Sequence, residues 1–227
     1  MGNLCIIPAR GGSKRIPRKN IKTFIDKPII AYSISAAINS KLFDEVMVST
    51  DDLEVAEIAK QFGASIPFMR SHNNSNDFAS TYDVIEEVLN TYSQMGKYFD
   101  NTCCIYACAP FVTNAKLNEA FQLLIKEEFD SVFPIVPFGF PIQRALKLTN
   151  NKVQFYNPQF DLTRSQDFEK SYHDVGQFYW MNTQKVLNNK KIISQNTGSI
   201  VLSELECQDI DNEIDWQLAE LKYNLLK

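Results

Sequence analysis

Residues 3–20 read NLCIIPARGGSKRIPRKN, an apolar run that opens into a loop of glycines and basic side chains. Asn3 to Pro8 has the length and apolar density of a buried strand, and Pro28 to Asn39, with Ile30, Ile34 and Ile38 at helical spacing, supplies a helix after the loop. The same rhythm continues along the chain. Strands are expected at Glu45–Ser49, Ile66–Met69, Thr102–Ala107 and Ser131–Val136, alternating with helices at Leu53–Phe62, Tyr82–Tyr92 and Ala115–Lys126, the first of them stopped by Gly63. Such alternation implies right-handed crossovers and a mostly parallel sheet covered on both faces, so the first 136 residues predict a doubly wound α/β fold.

Beyond that point the rhythm breaks. Ala145–Thr149 and Lys152–Tyr156 flank Asn150 and Asn151, a two-residue hairpin turn, and 138–172 as a whole reads as an excursion from the sheet. Tyr172–Met181 and Ser199–Leu205 return to strand character, and Ile214, Leu218, Leu221 and Leu225 mark a closing amphipathic helix. The expectation is one domain, 1–227, carrying that excursion.

Composition narrows the function. At 227 residues, 44% hydrophobic, folding removes roughly 70% of the unfolded chain's surface, which is enough for a core without staples. Five cysteines form no CxxC pair and only two histidines exist to help them, which argues against zinc and for core thiols in a reducing compartment. The most apolar stretch, Val132–Ile142, contains three prolines and is too short to span a bilayer, so no membrane is expected and the cytoplasm is the expected location. A net charge of −4 disfavours nucleic acid as a partner.

Against that acidic background the loop after the first strand is an anomaly. Arg10, Lys14, Arg15, Arg18, Lys19 and Lys22 crowd together with no acid among them, and their repulsion is tolerable if a polyanion visits. Gly11, Gly12 and Ser13 would let backbone N–H groups approach it, and the carboxyl ends of strands are where doubly wound sheets bind ligands. The spacing fits neither GxxxxGK[ST] nor GxGxxG. The competing reading is a solvated basic loop.

Near the other end, Asp209, Asp211, Glu213 and Asp215 alternate with Ile210, Asn212, Ile214 and Trp216. On a strand end, Asp209 and Asp211 would point the same way, and two carboxylates suit Mg²⁺, a hard cation that completes its shell with waters and phosphate oxygens. Helix capping accounts for Glu213 and Asp215. An EF-hand is rejected because Ile214 stands where its glycine is required.

The order of residues in IIPARGGSKRIPRKN, Ile6 to Asn20, resembles the signature of the sugar-acid cytidylyltransferases, which make CMP-activated nonulosonic acids. The resemblance runs over nearly the whole chain and implies a Rossmann-like fold of the nucleotide-diphospho-sugar transferase type. It implies that Ala9 to Lys14, with Lys19 and Asn20, form the nucleotide loop, Arg10 and Lys14 acting catalytically on the triphosphate of CTP and Asn20 helping to read the nucleoside. Arg70 matches the arginine opening a second nucleotide segment that ends NDFAST, with Ser80 and Thr81 at its hydroxyl positions. Asp209 and Asp211 match the metal-binding acids, Asp211 being expected as essential for turnover. The stretch SYHDVGQFYW, Ser171 to Trp180, is similar to the pseudaminic acid branch, and YACAPFV puts Tyr106 where the sialic acid branch carries a glutamine that contacts the sugar. A homodimer is also implied, with 138–172 reaching over the neighbour.

For the sugar, Tyr106 either narrows the pocket or fills the core below it, and His173 and Gln177 either face the sugar or are satisfied core polars. Arg144 and Arg164, in the excursion, are candidates for its carboxylate. Neighbouring readings are a legionaminate, sialate or Kdo enzyme, and, in another class, a CTP-binding regulator without catalysis.

Overall fold

The computed structural model describes residues 2–227. In chain order the strands and helices are β1 (Asn3–Pro8), β2 (Thr23–Phe24), β3 (Lys27–Pro28), α1 (Ile30–Ser40), β4 (Glu45–Ser49), α2 (Leu53–Gln61), α3 (Thr81–Gln94), β5 (Asn101–Ile105) and α4 (Asn114–Lys126). They continue with β6 (Ser131–Pro137), β7 (Leu146–Thr149), β8 (Lys152–Phe155), β9 (Tyr172–Asp174), β10 (Phe178–Asn182), α5 (Thr183–Asn189), β11 (Thr197–Val201) and α6 (Glu213–Leu225). The main sheet runs β11-β6-β10-β5-β1-β4, with β9 also paired to β6. Pairing is parallel in β1–β4, β1–β5 and β6–β11, while β10 runs antiparallel between β5 and β6. The mostly parallel doubly wound architecture is therefore as expected.

Alternation along the strands sorts the core into two faces. Cys5 and Ile7 join Ile30, Ile34, Val55 and Leu117 beneath α1, α2 and α4, whereas Leu4 and Ile6 join Ile85, Val88 and Tyr92 beneath α3. A third cluster lies off the sheet and matters more for function. Ile16 of the basic loop, Ile210 of the acidic segment, Phe24, Tyr32, Trp216 and Ala219 pack together, so burial of a few apolar side chains clamps the two charged segments side by side.

Four expectations need correction. Ile66–Met69 is not a strand: only Ser65 bridges Met47 on edge strand β4, after which Pro67 has no N–H to continue the ladder. Tyr172–Met181 is broken between β9 and β10, where Gly176 takes φ +61° and redirects the chain. Ser199–Leu205 ends as a strand at Val201 and passes into a 3₁₀ turn, Glu204–Glu206, that Ser203 caps. In α6 the helix is present but the buried face is Trp216 and Ala219; Ile214, Leu218, Leu221 and Leu225 are exposed. Both sets have helical spacing, and the aromatic one wins because Trp216 and Tyr223 meet Phe24 edge-on at 5.6 Å.

In the excursion, β7 and β8 form the expected hairpin, with Asn150 and Asn151 at φ 50° and 60° as a two-residue turn of this hand requires. It stands apart as its own two-stranded sheet and leaves Phe140, Leu146, Leu148, Val153 and Leu162 exposed. No helix among the described residues is long and apolar enough to cross a membrane.

Candidate active site

The carboxyl ends of β1 and β5, the turn ahead of β10 and the segment entering α6 surround a cavity of about 460 Å³. Its wall includes Arg10, Ser13, Lys14, Arg15, Lys19, Asn20, Arg70, Asp77, Tyr106, Cys108 and Asp209. Segments separated by almost 200 positions thus converge where a doubly wound sheet opens.

The repulsion expected within the basic loop is relieved by acids that the fold brings from elsewhere. Arg18 spans Asp52 at 2.5 and 3.0 Å and also reaches Glu54, Lys19 Nζ donates to the Ile210 carbonyl at 2.7 Å, and Lys22 pairs with Glu213 at 2.7 Å while its ammonium lies 4.5 Å over the Trp216 ring. These three cations bolt the loop to α2, to α6 and to the segment that leads into α6. The other three, Arg10, Lys14 and Arg15, face the cavity, where Arg10 and Lys14 both pair with Asp77 and Arg15 pairs with Asp211 at 2.7 Å. Asn20 holds the loop's mouth, donating to the Arg10 carbonyl at 2.9 Å and accepting from the Cys108 thiol at 3.2 Å.

Two glycines have different reasons. Gly11 gives its N–H to Asp51 at 3.0 Å, and a Cβ there would stand 2.5 Å from Asp52 Oδ2, so its smallness serves the packing of Asp52. Gly12 has open space where a Cβ would go. Neither lines the cavity, and Ala9 is fully buried in the core under the sheet.

Arg70 is buried beside the end of β4, with Nε donating to Ser49 Oγ at 3.0 Å and its guanidinium also held by the Ser49 carbonyl. Desolvation lowers its affinity for the proton, offset by Asp51 and Glu87, and a guanidinium stays charged under such a shift. Ser80 is occupied otherwise: it caps α3 in a capping box with Asp83. Thr81 stands behind the wall, its hydroxyl 2.8 Å from that of Tyr106. Tyr106 itself lines the cavity, its phenol raised mainly by desolvation, with Tyr179 at 5.6 Å between ring centroids and the Tyr179 hydroxyl donating to Asp174 at 2.6 Å.

The remaining sugar candidates are not on this wall. Gln177 is buried, donates to the Glu206 carbonyl at 2.8 Å, and leaves Oε1 without a hydrogen-bond partner. His173 is exposed on β9 with its ring 4.8 Å from Phe138, Arg144 lies along Phe155 in the hairpin, and Arg164 is exposed ahead of the turn Ser165–Asp167. All three belong to surfaces outside the cavity of this chain.

Asp209 and Asp211 lie not on a strand end but in a segment without regular secondary structure, flanking buried Ile210. Asp209 faces the cavity; Asp211 turns to Arg15. The Asp209 carboxyl is raised above its ordinary range, by desolvation first and by repulsion from Asp211 second. Two carboxylates close enough to repel, beside a cavity lined by Arg10, Lys14, Arg15, Lys19 and Arg70, fit a hard cation that takes one or two protein carboxylates and fills its shell with water and anionic oxygens. Among the described residues no group of three or more His, Cys, Asp or Glu is placed to hold a metal ion. Asp215 caps as expected, accepting from the N–H groups of Asp211 and Asn212 at 2.9 and 3.0 Å. All five cysteines are free, and four are buried.

Sequence reading missed Asp77, Arg15 and Cys108 as wall residues. Arg15 was visible in the basic run, but Asp77 is one acid in a polar loop, with no periodicity or spacing to mark it.

A family profile described as cytidylyltransferase matches residues 4–215. The chain is 41% identical over 226 residues to a pseudaminic acid cytidylyltransferase of Campylobacter jejuni subsp. jejuni, covering 99% of this chain and 97% of that one. It is 32% identical to a CMP-N,N'-diacetyllegionaminic acid synthase of Legionella pneumophila, over 96% and 94% of the two chains. Among solved structures, a CMP:2-keto-3-deoxy-manno-octonic acid synthetase complexed with CTP superposes with a TM-score of 0.73 over all of both chains at 16% identity, a likeness of fold. With the profile spanning most of the chain and full-length relatives above 30% identity, the chain belongs to the cytidylyltransferase family.

Proposed function

We propose that the protein transfers CMP from CTP to the anomeric hydroxyl of a nonulosonic acid, pseudaminic acid, and releases pyrophosphate. The observation that carries this reading is the convergence of Arg10, Lys14, Arg15, Arg70 and Asp209 on one cavity, together with the full-length likeness to a relative of that name.

In the reaction the anomeric oxygen bonds to the α-phosphorus, the bond from that phosphorus to the β-bridging oxygen breaks, pyrophosphate leaves with the electron pair, and the hydroxyl proton passes to solvent. Catalysis of this kind is mostly positioning and charge neutralisation. Arg10 and Lys14 would neutralise the β and γ phosphates. Lys19 and Asn20 hold the loop in shape from either side, and Arg70 supplies a fixed positive charge under the nucleotide. Asp209 and Asp211 would hold Mg²⁺, which when bound lowers the negative charge of the triphosphate. Tyr106, with its hydroxyl occupied by Thr81, would present an apolar ring to the sugar.

The exposed apolar residues of the hairpin segment support a homodimer, because Phe140, Leu146, Leu148 and Val153 find no cover within one chain. In such a pair Arg144, Arg164 and His173 could serve the neighbour's sugar site. A CMP-activated sugar is an intermediate for glycan assembly in the cytoplasm, which is the location this reading carries.

The test is pyrophosphate release from CTP and Mg²⁺ with purified pseudaminic, legionaminic, sialic and Kdo acids in parallel, with a chelator arm. Release with pseudaminic acid, abolished by the chelator, is expected. Release only with another of these acids would replace the sugar assignment, and CTP binding with no turnover on any would favour the regulator.

A further inference from the structure

Asp77 uses both carboxylate oxygens on the two cations that the proposed chemistry gives to the triphosphate: Oδ1 accepts from Arg10 at 2.7 Å and Oδ2 from Lys14 at 2.5 Å. It reaches them from the loop between Arg70 and α3, more than 60 residues further along the chain, and it forms part of the cavity wall. Two oxygens of one group bridging two cations is the arrangement a phosphoryl group would make in their place. The pairing is mutual, since Lys14 first and Arg10 second hold the Asp77 carboxyl below its ordinary range.

We propose that Asp77 is a specificity-determining residue: a built-in counter-anion that occupies the polyphosphate subsite and is displaced by ligands carrying linked phosphates and not by a nucleoside monophosphate. The inference rests on the reading of Arg10 and Lys14 as the triphosphate clamp. A ligand with β and γ phosphates can replace both contacts at once. A monophosphate seated at the α position has nothing to offer either cation, so the bridge stays closed over it. After transfer, the returning carboxylate competes with pyrophosphate for the same two cations and assists its departure, leaving the CMP-sugar bound by other groups.

The test is calorimetric titration of CTP, pyrophosphate and CMP, with magnesium chloride present, into the wild-type protein, Asp77→Asn and Asp77→Glu. The Asp77 side chain is 43% exposed and belongs to none of the hydrophobic clusters, so the amide is accommodated without loss of fold. Asp77→Asn is expected to bind CTP and pyrophosphate about tenfold more tightly, the scale of two solvent-screened ion pairs no longer needing to be broken, with CMP unchanged. Asp77→Glu keeps the charge and is expected to bind like wild type. Unchanged or weaker CTP and pyrophosphate binding by Asp77→Asn overturns the proposal, as does an equal gain for CMP, which would report only a less negative cavity mouth. A wild-type protein that binds neither CTP nor pyrophosphate overturns the clamp itself and Asp77's role with it; a wild type that binds CTP with no difference in the variant removes only the role of Asp77.

Discussion

Replacing Gly11 with alanine tests whether the basic loop is held by the packing of Asp52 rather than by backbone freedom. The new methyl would meet Asp52 Oδ2 at 2.5 Å, its Cβ at 2.9 Å and its Cγ at 3.0 Å, against the roughly 3.5 Å of ordinary carbon contact. Asp52 has little room to yield. It caps α2 by accepting from Val55 N–H at 3.0 Å, its own N–H donates to Thr50 Oγ1 at 3.1 Å, and Arg18 grips it strongly enough to hold its carboxyl at about 2. Admitting the methyl means giving up the cap, worth about 1 kcal/mol, and straining the ion pair with Arg18, or tolerating overpacking at about 1–3 kcal/mol. These costs share one cause and do not add, so Gly11→Ala is expected to lose about 2 kcal/mol. Since Arg18 ties the loop to α2, the KM for CTP should rise as well, on the order of tenfold, from misplaced Arg10 and Lys14. Urea midpoints and steady-state pyrophosphate release measure the two effects. Gly12→Ala is the control, with nothing within 4 Å of its Cβ, and should fall within about 0.5 kcal/mol of wild type. Equal behaviour of the two variants, in either direction, would refute the reasoning.

Glu206 is held at about 2 by Lys116, 2.6 Å away, and by the N–H and hydroxyl of Ser203. A carboxyl depressed on folding stabilises above its unfolded value near 4.5 and loses that contribution as pH falls toward 2. Discounted for solvent screening, Glu206→Gln should cost about 1 kcal/mol at pH 6, with the gap narrowing as pH falls below 4.5 and closing only below the folded value of about 2; a gap independent of pH contradicts the assignment. Tyr106→Gln should erode a preference for pseudaminic over sialic acid of at least roughly tenfold, and an unchanged ratio of kcat/KM values would place Tyr106 outside sugar selection. Light scattering is expected to give twice the 26.0 kDa chain mass, and a concentration-independent monomer would exclude the homodimer.

Local pattern determined most of the parallel part of the sheet and its alternation with helices. The span of β1, Asn3–Pro8, and that of β4, Glu45–Ser49, could be read residue by residue, because a fully buried strand needs a continuous apolar run and a following helix needs its own period. The position of the cavity was also legible, because a basic glycine loop directly after the first strand can lie only at the carboxyl edge. The chain pattern could not say who neutralises that loop, since Asp52, Asp77, Asp211 and Glu213 come from three other segments and contact order leaves no mark in sequence. Nor could it choose the buried face of α6, where Ile214, Leu218, Leu221 and Leu225 and the pair Trp216 and Ala219 both satisfy helical spacing. Tertiary packing decided it, because only the aromatic side finds Phe24 and Tyr32, and that packing clamps Ile210, with Asp209 beside it, against Ile16 of the loop.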